Sequence, residues 1–416
     1  MDYSKFISEH SKARNPSSIR NLMPYMNRKD MISLGAGQPN PSTFPFATLT
    51  MTLKDGQVID VDPERLQHCL SYDATAGYAP LVAWLKELQQ VEHHPQVPYE
   101  MAIGAGSQDL LTKGLEMMIS PGDAVLVDDV TYTGALAFLQ TQPCDLVGVE
   151  TDNGGMLPEK LEEMLANWPT SNPHGKPDQA RPHLLYTTPV GGNPTGLSIS
   201  EDRKRRIYDI CSRYNIMILE DDAYYYLQFG KRRIPSYFSM DVDGRVLRCD
   251  SMSKIVSSGL RLGWVSGPKE MIERMNMHTM STNLQPAGVS QLLAFEVLNR
   301  WGIQGFMDHV LQVSAFYKEK RDLFVASLDK YLQGRAEWVV PEAGMFVWIK
   351  LKGIEDSYEM IMTNALKKKV VAIPGNAFMP MGEATPYIRV SFSNVTKDQM
   401  DIALARLAQA LDEVQQ

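Results

Sequence analysis

Lys254 is the residue with the most chemical context in this sequence. It closes the segment Ser251-Met252-Ser253-Lys254, directly after the apolar run Val246-Leu247-Arg248-Cys249. Gly259-Leu260-Arg261-Leu262-Gly263 follows. A lysine amine can form an imine with an aldehyde cofactor. Two serine hydroxyls and an arginine close by could hold a phosphate through charge-assisted hydrogen bonds. A lone lysine is ordinarily a solvated surface group; the Ser-x-Ser-Lys and Arg-x-Gly surroundings set this one apart.

Four further segments carry chemistry. Gly104-Ala105-Gly106-Ser107-Gln108 runs into Leu110, Leu111 and Leu115. A helix starting there would present free N–H groups to a phosphate. The pattern lacks the third glycine of a dinucleotide fingerprint and the Gly-Lys-Ser/Thr of a P-loop, so alone it reads as a structural turn. Asp221-Asp222-Ala223-Tyr224 follows Ile216-Met217-Ile218-Leu219. A carboxylate at a strand end can keep a pyridine nitrogen protonated, and the ring then acts as an electron sink. Tyr224 could hydrogen-bond a phenolic oxygen on that ring, whereas Asp222 reads as a solvated acidic turn. Pro189-Val190-Gly191-Gly192-Asn193-Pro194-Thr195-Gly196 is dense in turn formers and would hold the Asn193 amide ready for the same phenolic oxygen. In Tyr387-Ile388-Arg389-Val390-Ser391 an arginine interrupts an apolar strand, which is costly unless it is paired. A substrate carboxylate held bidentately is one partner; the solvent face of an edge strand is the equal alternative.

The elements that must position these residues are legible as short apolar runs bounded by turns. Ala124-Val125-Leu126-Val127, Leu184-Leu185-Tyr186, Ile216–Leu219 and Val246–Cys249 suit strands buried on both faces. Ser200-Glu201-Asp202, with Ile207, Ile210 and Cys211 after it, predicts an N-cap, an acidic first turn and an amphipathic helix. Strand–helix–strand alternation predicts an α/β domain with a mostly parallel sheet sandwiched by helices. Ligands bind such sheets outside the carboxyl ends of the strands, where these segments fall. A long amphipathic stretch from about Ala287 to Leu332 comes next. The strands Met345–Ile349 and Tyr387–Phe392 and a helix from Thr396 then predict a smaller α+β domain. The first forty residues are rich in breakers and read as an extended arm. The expected division is 1–40 arm, 41–290 large domain and 291–416 small domain.

At 416 residues, 44% hydrophobic and 22% charged, the chain is ordinary globular material and long enough for two domains. A net charge of −8 argues against a broad nucleic-acid surface. Cys69, Cys144, Cys211 and Cys249 are scattered and read as free thiols rather than zinc ligands or disulfides. No apolar run approaches the roughly 18 residues of a membrane span, and a secretory signal is not evident. The expectation is a cytoplasmic protein, with a mitochondrial one as the alternative because of the basic, serine-rich start.

Taken in order, Asn193-Pro194-Thr195-Gly196, Asp221-x-x-Tyr224, Ser251-x-Ser253-Lys254, Arg261-x-Gly263 and Arg389 resemble the fold-type I, class I/II aminotransferases that use pyridoxal 5′-phosphate (PLP). Within that family the likeness is to the kynurenine/α-aminoadipate aminotransferases, through Ala13-Arg14-Asn15-Pro16-Ser17, Phe44-Pro45-Phe46, Ala343-Gly344-Met345-Phe346 and Pro374-Gly375-Asn376-Ala377-Phe378. The resemblance implies that Lys254 binds the cofactor and shuttles a proton. It implies that Asp221 meets the pyridine nitrogen, Asn193 and Tyr224 the phenolic oxygen, and Tyr132 the ring face. Ser107, Gln108, Ser251, Ser253 and Arg261 would hold the phosphate, with Tyr72 reaching it from the other subunit of a homodimer. Arg389 would clamp the substrate α-carboxylate, helped by Asn193, while Arg20, Gly37 and Gln38 line the substrate side. Gln38 stands where the family pattern leads one to expect an apolar residue. The implied reaction is ping-pong transfer of an amino group from an L-amino acid to a 2-oxo acid such as 2-oxoglutarate. A PLP-dependent lyase on the same scaffold is the alternative.

Overall fold

A computed structural model describes residues 1–16, 22, 25, 28, 30–32, 34–35, 37–172 and 175–415. Its centre is a seven-stranded sheet: β1 (Glu100–Gly104), β2 (Ala124–Asp128), β3 (Asp145–Val149), β4 (Leu184–Thr187), β5 (Met217–Asp221), β6 (Val246–Ser251) and β7 (Gly263–Gly267). The spatial order is β1-β7-β6-β5-β4-β2-β3. Only β7 runs against its neighbours; β2 to β6 pair in parallel. The strands expected from apolar runs are present. The three not anticipated are β1, β3 and β7, each of which carries a glycine or a charged residue that breaks up its apolar run.

Strand alternation sends successive side chains to opposite faces. Val125, Val127, Leu184, Tyr186, Met217, Leu219, Leu247 and Cys249 share one core with the helices Ser107–Met118 and Lys269–Thr282. Ala124, Leu126, Leu185, Ile218 and Val246 share another with Pro158–Ala166 and Glu201–Arg213. The latter helix is capped as expected: Ser200 Oγ accepts from Arg203 N at 3.3 Å.

The smaller unit is an antiparallel sheet, β8 (Ala336–Trp338), β9 (Phe346–Leu351), β10 (Ile373–Pro374) and β11 (Tyr387–Ser391), in the order β8-β9-β11-β10. It packs on the C-terminal helix Lys397–Val414, which opens with the capping box Thr396/Gln399. The expected long helix spans Gly288–Leu332 but leaves helical geometry at Gly302. Leu292, Leu298, Phe306 and Val310 join the large core, and Phe324, Leu328 and Leu332 join the small one.

Candidate active site

The same alternation decides which polar residues of β5 and β6 become a site and which become foundation. Asp221 ends β5 on the face of Met217 and Leu219, and Ser251 ends β6 on the face of Leu247 and Cys249. Glu220, Arg248 and Asp250 point the other way. There Arg248, fully buried, meets Asp250 at 2.7 Å, Asp222 at 2.8 Å and Glu220 at 3.3 Å, and lies 4.6 Å over the Tyr225 ring. Gln89 donates to Asp250 at 2.9 Å. Asp222 is therefore not the solvated acidic turn expected of it. It is 2% exposed and pairs with an arginine that the next strand delivers.

Along the carboxyl edge of the sheet lies a cavity of about 360 Å³. Its lining includes Ser107, Gln108, Tyr132, Asn193, Asp221, Tyr224, Ser251, Ser253, Lys254, Arg261 and Arg389, which come from six separate segments of the chain. Thr188, Ala223, Ser258 and Phe346 also line it. Of these, Phe346 adds something the motifs did not signal: its ring lies 4.4 Å beneath the Arg389 guanidinium, a cation–π floor.

At one end, helix Ser107–Met118 begins after Gly106 without a side-chain cap, so its first N–H groups are open to an anion. Gly106 has φ +95°, and a Cβ there would run into the Arg261 guanidinium. Glycine is what lets that arginine lie against the helix start. Arg261 Nη1 donates to Ser253 Oγ at 3.3 Å and to the Ser258 carbonyl at 3.0 Å. Gln108 spends its side-chain amide on the Gly134 carbonyl at 2.8 Å, and its Oε1 has no partner among the described residues. Its means of holding an anion is the backbone N–H.

At the other end, Arg389 on β11 donates to Asn193 Oδ1 at 2.8 Å. Among the described residues no carboxylate pairs with it, and burial lowers its pKa. The loop that carries Asn193 meets the small unit through bare backbone. A Cβ on Gly191 would lie 2.9 Å from Gly344 N, and one on Gly344 would lie 2.8 Å from Gly191 O; both have positive φ.

Between the ends, Lys254 is half-buried, with Nζ 5.6 Å from the centre of the Tyr224 ring. Burial, and then the Arg261 charge, lower its pKa, which leaves more of the amine unprotonated near neutrality and so available as nucleophile and proton acceptor. Asp221 is buried, and burial pushes its carboxyl up to about 7. Tyr186 Oη donates to Oδ2 at 3.0 Å, while Oδ1 has no partner among the described residues. A buried, unpartnered carboxylate oxygen in a cavity suits a ring N–H.

Asp221 gives the cofactor-free protein a pH signature. The folded carboxyl keeps its proton up to about pH 7 and the unfolded one releases it near pH 4. The stabilising contribution is thus complete below about pH 4 and is lost as pH rises through 7, a change of up to about 4 kcal/mol. Asp128, buried and pushed up to about 6, adds a decline of its own. Urea midpoints of wild type and Asp221→Asn between about pH 5 and 8 should therefore diverge, the variant gaining as pH rises. Parallel profiles would refute the assignment.

Three expected residues lie elsewhere. Tyr72, half-exposed, and Gln38 line a second cavity of about 430 Å³ beside residues 283–288. Gly37 is exposed, with nothing among the described residues within 4 Å of its Cβ position. Arg20 lies outside the described residues. The four cysteines are free thiols, three of them buried. Among the described residues no helix is long and apolar enough to cross a membrane.

Residues 29–407 match the family model for class I and II aminotransferases. The chain is 43% identical, over the full length of both, to the mitochondrial kynurenine/alpha-aminoadipate aminotransferase of Rattus norvegicus. Among solved structures it is similar to the aminotransferase Aro8 of Candida albicans, with a TM-score of 0.89 and 28% identity over 99% of this chain and 98% of that one. It is also similar to the kynurenine aminotransferase of Pyrococcus horikoshii in complex with PMP, KYN and KYA. That match has a TM-score of 0.77 and 28% identity over 100% and 99% of the two chains.

Proposed function

The chain belongs to the class I and II aminotransferases, and from that premise we propose that it uses pyridoxal 5′-phosphate to move the amino group of kynurenine, 2-aminoadipate or an aromatic amino acid to a 2-oxo acid such as 2-oxoglutarate. The observation that carries this reading is the single cavity joining a lysine of lowered basicity, an unpartnered buried carboxylate oxygen and an arginine without a carboxylate.

When bound, the cofactor supplies an aldehyde that condenses with amines and a ring that takes up the electrons left at Cα. Lys254 Nζ would hold it between turnovers and would take the proton from the substrate Cα. Asp221 Oδ1 would accept from the pyridine nitrogen. Asn193 and Tyr224 would meet the phenolic oxygen, and Tyr132 would cover the ring. Ser107, Gln108, Ser251, Ser253 and Arg261 secure the phosphate at the helix start. Arg389 takes the α-carboxylate above the Phe346 ring and beside Asn193. Tyr72, outside this chain's own cavity, serves the phosphate of a second copy, which makes the functional unit a homodimer. Arg20, Gly37 and Gln38 shape the substrate side. The rat relative's name supports the mitochondrial compartment over the cytoplasmic one.

The test is a half-reaction: cofactor-loaded protein mixed with one amino acid at a time and no keto acid. Kynurenine and 2-aminoadipate should each turn the aldehyde absorbance into that of the amine form, with one keto acid released per site. Ammonia or pyruvate without any amine form would point to a lyase instead.

A further inference from the structure

Tyr186 is the third residue of β4 and lies beside Leu219 of β5 in register. Its side chain shares the face of Leu219 and hence of Asp221. The residue is 1% exposed within an otherwise apolar cluster. Its only polar side-chain atom, Oη, donates to Asp221 Oδ2 at 3.0 Å. The other carboxylate oxygen, Oδ1, is buried and without a partner among the described residues, and Asp221 lines the cavity.

We propose that Tyr186 is a positioning residue for Asp221: its hydroxyl ties down one carboxylate oxygen and leaves the other as the acceptor for the cofactor's pyridine nitrogen. The reasoning rests on the pyridoxal-phosphate reading of the cavity. A phenol so deeply buried stays neutral and therefore remains a donor. Its hydrogen bond pulls the Asp221 carboxyl down against the upward push of burial. Without it both oxygens would be buried and unsatisfied, and the neutral acid would persist to higher pH. A neutral carboxylic acid would offer a proton to the pyridine nitrogen rather than accept one. The bond also fixes rotation of the carboxylate about its last torsion, which for an aspartate is otherwise broad.

Tyr186→Phe keeps the ring and removes only the hydroxyl. Two measurements test the idea on the full-length chain. The first compares affinity for pyridoxal 5′-phosphate and for its analogue with carbon in place of the pyridine nitrogen, in wild type, Y186F, D221N and the double variant. Y186F should weaken binding of the natural cofactor about tenfold, the scale of one hydrogen bond to a charged group. It should leave the analogue unchanged and add nothing in the D221N background. Equal weakening of both compounds, or the same factor with Asp221 already replaced, would make Tyr186 a packing residue and overturn the proposal. The second follows the Asp221 carboxyl by ¹³C chemical shift in cofactor-free protein. Its titration should move to higher pH in Y186F, and an unmoved titration overturns the proposal. A wild-type chain that binds neither compound would defeat the cofactor reading, while the second measurement would still decide whether Tyr186 controls Asp221.

Discussion

Lys254→Ala will slow amino transfer by about 10⁴-fold or more, because it removes both a nucleophile and a proton carrier from one position. Neither role has an understudy in the cavity: among its lining residues Lys254 is the only amine. The loss should fall on kcat, since the anion-holding groups around Arg261 and the helix start remain. Steady-state rates with 2-oxoglutarate measure the first part. Borohydride treatment followed by mass spectrometry measures the second: wild type should retain the cofactor covalently at Lys254 and the variant should not. A variant that still fixes the cofactor would move the reactive amine to another lysine. The fold should tolerate the change, because Lys254 makes no ion pair among the described residues and its burial works against its charge.

Arg248→Leu should be the most destabilising single substitution near the site. It strands the carboxylates of Glu220, Asp222 and Asp250, all essentially without solvent exposure. Removing one partner of a buried ion pair costs about 3–5 kcal/mol, and here one cation serves three anions. Lys204, a buried cation whose charge reaches Asp222 and Glu220, donates its hydrogen bond to the Pro235 carbonyl at 2.9 Å rather than to any of the three. Chemical denaturation should show a loss of at least that size, or no soluble protein at all. Arg248→Lys, which keeps the charge without the planar fork, should fall between. Near-wild-type stability in Arg248→Leu would mean that the three acids are protonated in the folded protein and that the arginine is dispensable.

These two positions also show what a linear sequence reveals and what it hides. Lys254 announces itself through neighbours a few residues away, and so do the Thr396 capping box and the apolar runs of β2, β4, β5 and β6. Local signals of that kind survive folding. Asp222 reads as a solvated acidic turn because it follows Asp221 past the end of an apolar run, whereas the strand sends the two side chains to different faces. Its cation sits 26 residues onward and comes alongside only through the parallel register of β5 and β6. Phe346 was legible as a strand residue, yet nothing near it in sequence told that its ring would lie under Arg389, which the antiparallel pairing of β9 and β11 brings close. Tyr186 had the same difficulty: its tie to Asp221 is a matter of sheet face. Tyr72 lines a cavity apart from the site, and Arg20 lies outside the described residues, so neither expectation could be read on this chain.

The paired glycines at 191 and 344 let the two units bear on each other backbone to backbone. Where Asn193 and Arg389 are brought together, one backbone rests directly on another, with no side chain as a shim. Side-chain layers between domains can repack and so absorb small displacements, but peptide groups in van der Waals contact cannot be compressed. The spacing between the arginine and the amide is thus machined into the main chain. A tilt of the small sheet must turn about this seam or open it, and either movement is felt first by whatever group Arg389 holds.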